Sequence, residues 1–584
     1  MDGLCKNRPR LWTACGSAAA VSDRTARGLD LTVALTAGAC VAVWTASLLA
    51  VVQGALRPGA SFAAFAVGLV AAALAARART AVASPFRLSA AECVALAAFA
   101  AVSVRQFGWL VFERGGVVLT LLTHNYGDLP LHWTYIRYLA GGASFWPENP
   151  VFTGARLRYP LGVDLLGSMA LQLGAALPAV LRVSGLLGAG LTALALRRWG
   201  GAFAVAGFLC AGGLAGFRIL WTRRLVDYQA AVEWKSLFLA LLVPQRGFLL
   251  ALPAGLLLLW HWRRRLLRAE RGLHPWVEGA VWGALPLVHL HTFLFVSLLW
   301  LVWVLVGRRW REAAPGLAIA LLPAAWAAWQ VTGGPGAASL VGWSPGWTMG
   351  DANPFVFLAV NFGLFLPLAL VALAVALRER QREHLAVLAP ALAVFAALFV
   401  VRLAPWAWDN TKVMLWCWVA ALPAIEALAL ARLRPVWRAA VVALFLFSGA
   451  ESVVAASFGR PQRLDIVDRA EYEGVCAAVA GFGRDERVAT AQVHNHPVAL
   501  CGQPLVAGYA GHLWSHGIDA RAVQAGLARL MNGEGDYRAE ARALHARYLF
   551  WGPREHFAFP RSSRPWEAGE PLARGEWGAL YRLD

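Results

Sequence analysis

Residues 281–306 read VWGALPLVHLHTFLFVSLLWLVWVLV, a run without a single Asp, Glu, Lys or Arg. About 20 apolar residues make one helical crossing of a bilayer, so the run is long enough to cross. Its only titratable groups are His289 and His291, each of which needs a hydrogen-bond partner that lipid does not offer. At i and i+2 they point to different sides of a helix unless the helix is broken. Arg263–Arg265, Arg268 and Arg271 precede the run, and Arg308, Arg309 and Arg311 follow it. Basic clusters beside spans mark the cytoplasmic side, so 281–306 must cross an even number of times or only dip into the membrane.

The rest of the chain has the same character. Of 584 residues, 59% are hydrophobic and 15% charged, against about 25% charged in a soluble domain. Further apolar runs lie at 31–53, 60–76, 89–112, 161–196, 201–220, 246–262, 314–331, 354–377, 385–403, 411–431 and 436–456. Together they predict an all-α polytopic membrane protein of about 11–13 transmembrane helices. Pro178 and Arg182 interrupt 161–196, which reads as one crossing plus a half-helix or as two crossings. This composition excludes a soluble enzyme, a disordered chain, a fibrous repeat and a β-barrel.

The net charge of +19 rests on 50 Arg and 3 Lys against 34 acids. The arginines gather in short clusters beside spans, such as Arg77 with Arg79 and Arg378–Arg382, and no aromatic-interleaved basic stripe accompanies them. A membrane therefore accounts for the charge, and no nucleic acid is expected. Residues 1–30, with Lys6, Arg8, Arg10, Arg24 and Arg27, read as a cytoplasmic flank rather than a cleaved signal. Residues 31–456 form the multi-spanning domain, with a large first external loop at 113–160. From 457 to 584 the composition turns polar and predicts a small extracytoplasmic α/β domain. Its expected strands are Val488–Val493 and Tyr548–Trp551, and its expected helices Ala520–Leu530 and Tyr537–Ala546. Cys40, Cys93, Cys210 and Cys417 read as small buried hydrophobes. Cys476 and Cys501, alone in the polar region, are a candidate disulfide if that region lies in an oxidising compartment. The Arg- and Ala-rich usage suits a bacterial plasma membrane.

Six polar blocks stand out against this background. The first is His124-Asn125-Tyr126-Gly127-Asp128-Leu129-Pro130-Leu131-His132. Asp128 is expected as the cap of a helix with Pro130 in its first turn, running along the membrane surface through Trp133, Tyr135, Ile136 and Tyr138. Asp128 and His132, four residues apart, would face the same way. The second is Tyr159-Pro160-Leu161-Gly162-Val163-Asp164, where Asp164 lines a cavity or pairs with Arg156 or Arg158. The third is Gln245-Arg246, preceded by Arg223, Arg224, Asp227, Glu233 and Lys235. Arg246 either snorkels to lipid or grips a phosphate in bidentate fashion. The histidine pair 289/291 is the fourth. The fifth is Asp409-Asn410-Thr411-Lys412, where Lys412 either anchors a flank or contacts a phosphate. The sixth holds His494, His496, His512 and His516, whose irregular spacing fits a loop that caps the cavity better than a metal site.

Asp128 in the first external loop, Tyr159-Pro160-Leu161-Gly162 at the next membrane entry, the many later helices and the small C-terminal domain resemble the GT-C class of integral-membrane glycosyltransferases. That superfamily contains the protein O-mannosyltransferases, the aminoarabinose transferases and the oligosaccharyltransferases. The second block is similar to the Pro-Pro-Leu-Gly block of the mannosyltransferases. Those enzymes commonly carry an Asp-Glu pair in the loop, where Leu129 follows Asp128 here. The resemblance implies a polyprenyl-phosphate sugar donor, contact with membrane lipid, and an extracytoplasmic acceptor whose kind stays open. Asp128 would be the general base, with His132 or His124 orienting it. Arg246 and Lys412, joined by Arg223 and Arg224, would hold the donor phosphate. Tyr159, Asp164, Gln245, His289, His291, Asp409 and Asn410 would line the cavity. Whether a divalent cation takes part stays open. A transporter or flippase of a lipid-linked or anionic substrate, or a noncatalytic lipid-binding relative, is the alternative. The transporter would show related halves, and the 124–164 block has no counterpart later in the chain.

Overall fold

The computed structural model of the chain describes residues 30–78, 88–333, 341–459 and 462–583. The basic flank expected over 1–30 falls outside them except for Asp30, as do Arg79, Arg87, Gly334, Pro335 and Gly336. Helices α1 (Leu31–Gln53), α2 (Pro58–Arg77) and α3 (Ala90–Gly108) open the membrane part. A hairpin of β1 (Phe112–Arg114) and β2 (Val117–Thr120) then leads to α4 (Asp128–Ala140). Next come α5 (Gly162–Gln172) and α6 (Leu177–Leu209), so the 161–196 run resolves into half a helix plus one crossing. Helix α6 breaks at Gly200 and Gly201, the latter at φ 62° and ψ −153°, a conformation that side chains with a Cβ avoid. Beyond the break it ends at Leu209, well short of the span expected over 201–220. Irregular chain carrying the one-turn α7 (Ile219–Thr222) follows.

The remaining membrane helices are α8 (Phe248–Trp262), α9 (Pro275–Val288), α10 (Leu290–Gly307), α11 (Trp310–Thr332), α12 (Pro354–Phe362), α13 (Phe365–Arg378), α14 (Arg382–Ala397), α15 (Thr411–Ala424) and α16 (Pro435–Phe458). A two-stranded ladder joins β3 (Gly342–Trp343) to β4 (Val401–Arg402). Among the described residues eight helices are long and apolar enough to cross a membrane, or nine if α12 and α13, bent by 90°, count as one span. The apolar runs that fall outside this count became α8, α9 and α14. At about 1.5 Å per residue α9 and α14 are too short to bridge the roughly 30 Å hydrocarbon core alone, whereas α8 runs on without a break through a π-helical segment, Arg263–Leu267.

The 281–306 run is not one helix. His289 takes an extended conformation (φ −164°, ψ 104°) between α9 and α10, and its ring Nδ1 accepts from the Thr292 backbone N–H at the start of α10. Glu278, one turn into α9, accepts from Arg265 at 2.6 Å, while Gly307 at the end of α10 packs on the backbone of Leu266. Both ends of the pair therefore lie at one face with His289 at the apex. The flanking arginines ask for a run that crosses an even number of times or only dips in, and a helical hairpin that returns to the face it left meets that demand.

That face is basic throughout. Arg198 grips Asp30 at the start of α1, Arg197 meets Glu92 at the start of α3, Arg263 and Arg268 share Glu383 at the start of α14, and Arg432 holds Glu379 after α13.

At the opposite face lies the C-terminal region. Strand β5 (Leu464–Asp468) pairs antiparallel with β2, making a three-stranded sheet with the first loop. After α17 (Arg469–Val479) come β6 (Arg487–Ala489), α18 (Pro497–Leu500), α19 (Ala510–Ser515), α20 (Arg521–Asn532), α21 (Tyr537–Ala543), β7 (Ala546–Trp551), α22 (Pro553–Ala558), β8 (Ala573–Gly575) and β9 (Gly578–Arg582). The second sheet runs β6-β7-β9-β8, with β6 parallel to β7 and the other pairs antiparallel. Strand β6 is shorter than the expected Val488–Val493, because the Ala491 N–H donates to the buried Glu555 carboxylate instead of continuing the ladder. Glu555 also pairs with His496 at 2.9 Å, both side chains fully buried. Cys476 and Cys501 form a disulfide that ties α17 to the end of α18. Of the membrane cysteines, Cys40 and Cys417 are buried, Cys210 is half-buried and Cys93 is exposed on the outer surface of α3.

Helix α4 does not run along a membrane surface. From Leu129 to Ile136 every residue is buried, because α5 packs on one side and Gly502, next to α18, presses on the Arg137–Tyr138 backbone on another.

Candidate functional site

Between the apex of the hairpin and the C-terminal region lies a cavity of about 580 Å³. Its walls come from the start of α4, the approach to α5, the chain between Lys235 and Gly247, the hairpin apex, the end of α11, the loop from Arg402 into α15, and the segment from His512 to Gly517.

Asp128 is the first residue of α4 and lines the cavity. Gly127, not Asp128, holds the cap position, so the carboxylate has no capping duty, and it makes no hydrogen bond or ion pair among the described residues. Burial pushes its pKa above the usual carboxylate range, and the nearby His132 and Lys412 only partly offset this. Gly127 is itself constrained: a methyl there would meet the His512 ring, whose Nε2 donates to the Gly127 carbonyl at 3.1 Å.

The expected partners of Asp128 divide. His124 lines the cavity, and its Nε2 lies 3.4 Å from Asp227. His132 does not line it: the ring is almost wholly buried, with Nδ1 2.9 Å from both carboxylate oxygens of Asp164. Asp164 is thereby withdrawn from the cavity and pairs with neither Arg156 nor Arg158. The i, i+4 reasoning placed Asp128 and His132 on one face, but α5 packs against that face one turn on and supplies the carboxylate. Tyr159 covers the pair, its ring centroid 5.9 Å from His132 and 5.5 Å from His516.

The expected phosphate ligands divide too. Lys412 lines the cavity in an ion pair with Asp409 at 3.0 Å. Arg246 does not line it. The guanidinium is buried against α6, where it meets the Leu181 carbonyl and the Ser184 hydroxyl, while its neighbour Gln245 faces the cavity. Arg223 and Arg224 are exposed around the end of α7 and take no part in the wall. Asn410 is also turned away. Its amide binds the Leu398 and Val401 carbonyls and accepts from the Leu403 N–H, which fixes the loop carrying Arg402. Both His289 and His291 reach the cavity, their rings 5.7 Å apart, because the helix is broken at His289.

Sequence reasoning did not assign Arg158, Arg402 or Lys235 to the cavity, yet all three line it with no carboxylate at ion-pair distance among the described residues. Rarity was a usable signal: of three lysines in the chain, Lys235 and Lys412 both face this space. The four C-terminal histidines scatter rather than converge. His496 is spent on Glu555, His494 stacks on Tyr126 at 3.8 Å, His512 holds Gly127, and His516 enters the cavity. Burial pushes His512 down to about 3 and His516 to about 4, the latter helped by Lys412, so both are neutral near pH 7. Among the described residues no group of three or more His, Cys, Asp or Glu is placed to hold a metal ion.

No protein-family model matches the chain. No curated protein matches it either. Among solved structures it is similar to the Archaeoglobus fulgidus oligosaccharyltransferase in its apo form, at a TM-score of 0.41 and 14% identity over 79% of this chain and 69% of that one. The same enzyme tethered through a disulfide bond to an acceptor peptide containing the NVT sequon is similar at a TM-score of 0.39 and 13% identity, with the same coverage.

Proposed function

We propose that the chain is a GT-C-class membrane glycosyltransferase, which moves a sugar from a polyprenyl-phosphate donor to an acceptor outside the membrane. One observation supports this above the rest: an unpaired, partly enclosed carboxylate, Asp128, shares a cavity with four cations, Lys235, Lys412, Arg158 and Arg402. The acceptor oxygen attacks the anomeric carbon as the bond from that carbon to the phosphate oxygen breaks. Asp128 takes the acceptor proton, and its raised affinity for protons suits a base. The electron pair leaves with the phosphate, and the four cations meet the charge that develops there. Hydrogen bonds to a charged group contribute about 1.5–3 kcal/mol each. Among the described residues no group of three His, Cys, Asp or Glu is placed to hold a metal ion, and the four cations supply the positive charge in this reading. The arginine-lined face is assigned to the cytoplasm by the positive-inside rule, which puts the cavity and the C-terminal region on the far side of the membrane, in this reading a bacterial plasma membrane.

The test is transfer from a panel of polyprenyl-phosphate sugars by the purified, detergent-solubilised chain, with Asp128→Asn alongside. Turnover that the substitution abolishes while donor binding survives supports the reading. Full transfer by a folded Asp128→Asn protein removes the base. Donor binding without turnover in the unsubstituted chain favours a lipid-binding or transport role, and flux in liposomes would then separate those two.

A further inference from the structure

Residues 214–226 read LAGFRILWTRRLV and form a projection at the cavity end of the molecule. Both of its roots are fastened. The Leu214 N–H donates to the Val360 carbonyl at 3.0 Å, and the Gly216 N–H to Ser448 of α16 at 3.1 Å. At the other root Asp227 accepts from Ser452 of α16 at 2.7 Å and meets His124 on the cavity wall. The tip is internally bonded as well, with Thr222 donating to the Arg218 carbonyl at 2.9 Å and Tyr228 to the Arg224 carbonyl at 2.9 Å. It is therefore a built shape.

What this shape presents is unusual for a water-facing surface. Trp221 is 68% exposed and Leu220 52%, with Val226 at 47%. Between them Arg218, Arg223 and Arg224 are exposed, and none has an ion-pair partner among the described residues. Asp227, the nearest acid in the chain, is turned inward to Ser452 and His124, so the tip carries three uncompensated positive charges. The apolar surface continues onto Phe355 and Val356 of α12, which are 82% and 60% exposed one turn from the carbonyl that Leu214 meets. Large apolar side chains interleaved with arginines match one environment, the boundary where acyl chains end and lipid phosphates begin.

We propose that residues 214–226 are an interfacial foot that seats Leu220, Trp221 and Val226 among acyl chains and binds lipid phosphates through Arg218, Arg223 and Arg224. The occupant is the phospholipid leaflet on the cavity side. The foot gives the two arginines that point away from the cavity a ligand of the same chemistry outside it. The inference does not depend on the transfer reaction.

The test uses the full chain, with Cys5, Cys15 and Cys93 replaced by Ser and a spin label at Val226→Cys, in nanodiscs of phosphatidylcholine with phosphatidylglycerol. Collisions with oxygen exceeding those with a water-soluble nickel complex are expected. A label open mainly to nickel, or shielded from both as a protein partner would shield it, overturns the proposal. In parallel, Arg218→Gln/Arg223→Gln/Arg224→Gln is compared with the triple Lys variant for the anionic over zwitterionic lipid retained after purification. Selectivity should fall by about fivefold per arginine lost and survive in the Lys variant. Unchanged selectivity in a folded Gln variant overturns the phosphate assignment.

Discussion

The two faces of the membrane domain use the same side chains in opposite ways. At the basic face the arginines between the helices are matched: Arg265 to Glu278, Arg263 and Arg268 to Glu383, Arg198 to Asp30, Arg432 to Glu379. In the cavity, among the described residues, only Lys412 has a carboxylate partner, while Lys235 and Arg402 donate to the neutral carbonyls of Ala230, Val232 and Pro405 and Arg158 meets no acid. A matched cation has already recovered its desolvation cost from its partner and has little left for a ligand. An unmatched one holds its attraction in reserve. The contrast separates cations that hold helices together from cations that await an anion, and composition alone does not make that distinction.

The contrast can be broken at several points. Asp128→Asn should lower transfer by about 10²–10⁴-fold with thermal stability intact, read by initial rates on a bound donor. Arg265→Met, at the matched face, should do the reverse. It leaves Glu278 buried and unpaired at a cost of about 3–5 kcal/mol in thermal unfolding, with unchanged transfer per folded molecule. Lys412→Met should weaken donor affinity by about 10–100-fold, the equivalent of one charge-assisted hydrogen bond, seen as a change in donor KM more than in kcat.

Acid should act on the cavity in two ways. Asp128 must be ionised to accept a proton and its pKa is raised, so transfer should fall away as pH drops through a value above the usual carboxylate range. His512 and His516 have pKa values pushed below the ordinary histidine value of about 6.5. Docking of their segment should therefore be complete above that value and weaken steadily as pH falls toward 3–4, since only the released state takes up the protons. The distance distribution between spin labels at positions 406 and 514, where two tryptophan rings now lie 5.7 Å apart, should broaden in acid. The smallest effect is expected at Arg432→Ala, where an exposed pair at the matched face should leave unfolding and transfer unchanged within error.

Much of the class was legible because it is written in composition and period. Arginine clusters on both sides required 281–306 to leave and return at one face, and the hairpin does so, although only Pro286 in the sequence lies near the break at His289. Of the candidate site residues, Asp128, His124, Tyr159, Gln245, His289, His291, Asp409 and Lys412 share one cavity. The misplacements have a common physical origin. Arg246 and Gln245 are adjacent, and which of them faces the cavity is decided by the contact with Ser184 on another helix. His132 was matched to its near neighbour in sequence, whereas its partner, Asp164, arrives with the packing of α5. Arg158 and Arg402 converge from distant segments, and no local pattern joins them.

The pairing of β2 with β5 has a consequence for the making of the protein. The first strand is synthesised before most of the spans and the second after the last of them, so the edge of the β1–β2 hairpin stays open while the intervening helices enter the membrane. An open edge invites wrong partners. The hairpin is short, which limits that risk, but closing the sheet must wait until β5, which follows α16, has been made. A chain released after α16 would keep Lys412 and the histidine apex, but the start of α4 would lose the His512 contact to Gly127 and the support of Gly502. The cavity is thus a late product of biogenesis, and arrest of the C-terminal region should yield an inserted helical domain with an unroofed cavity.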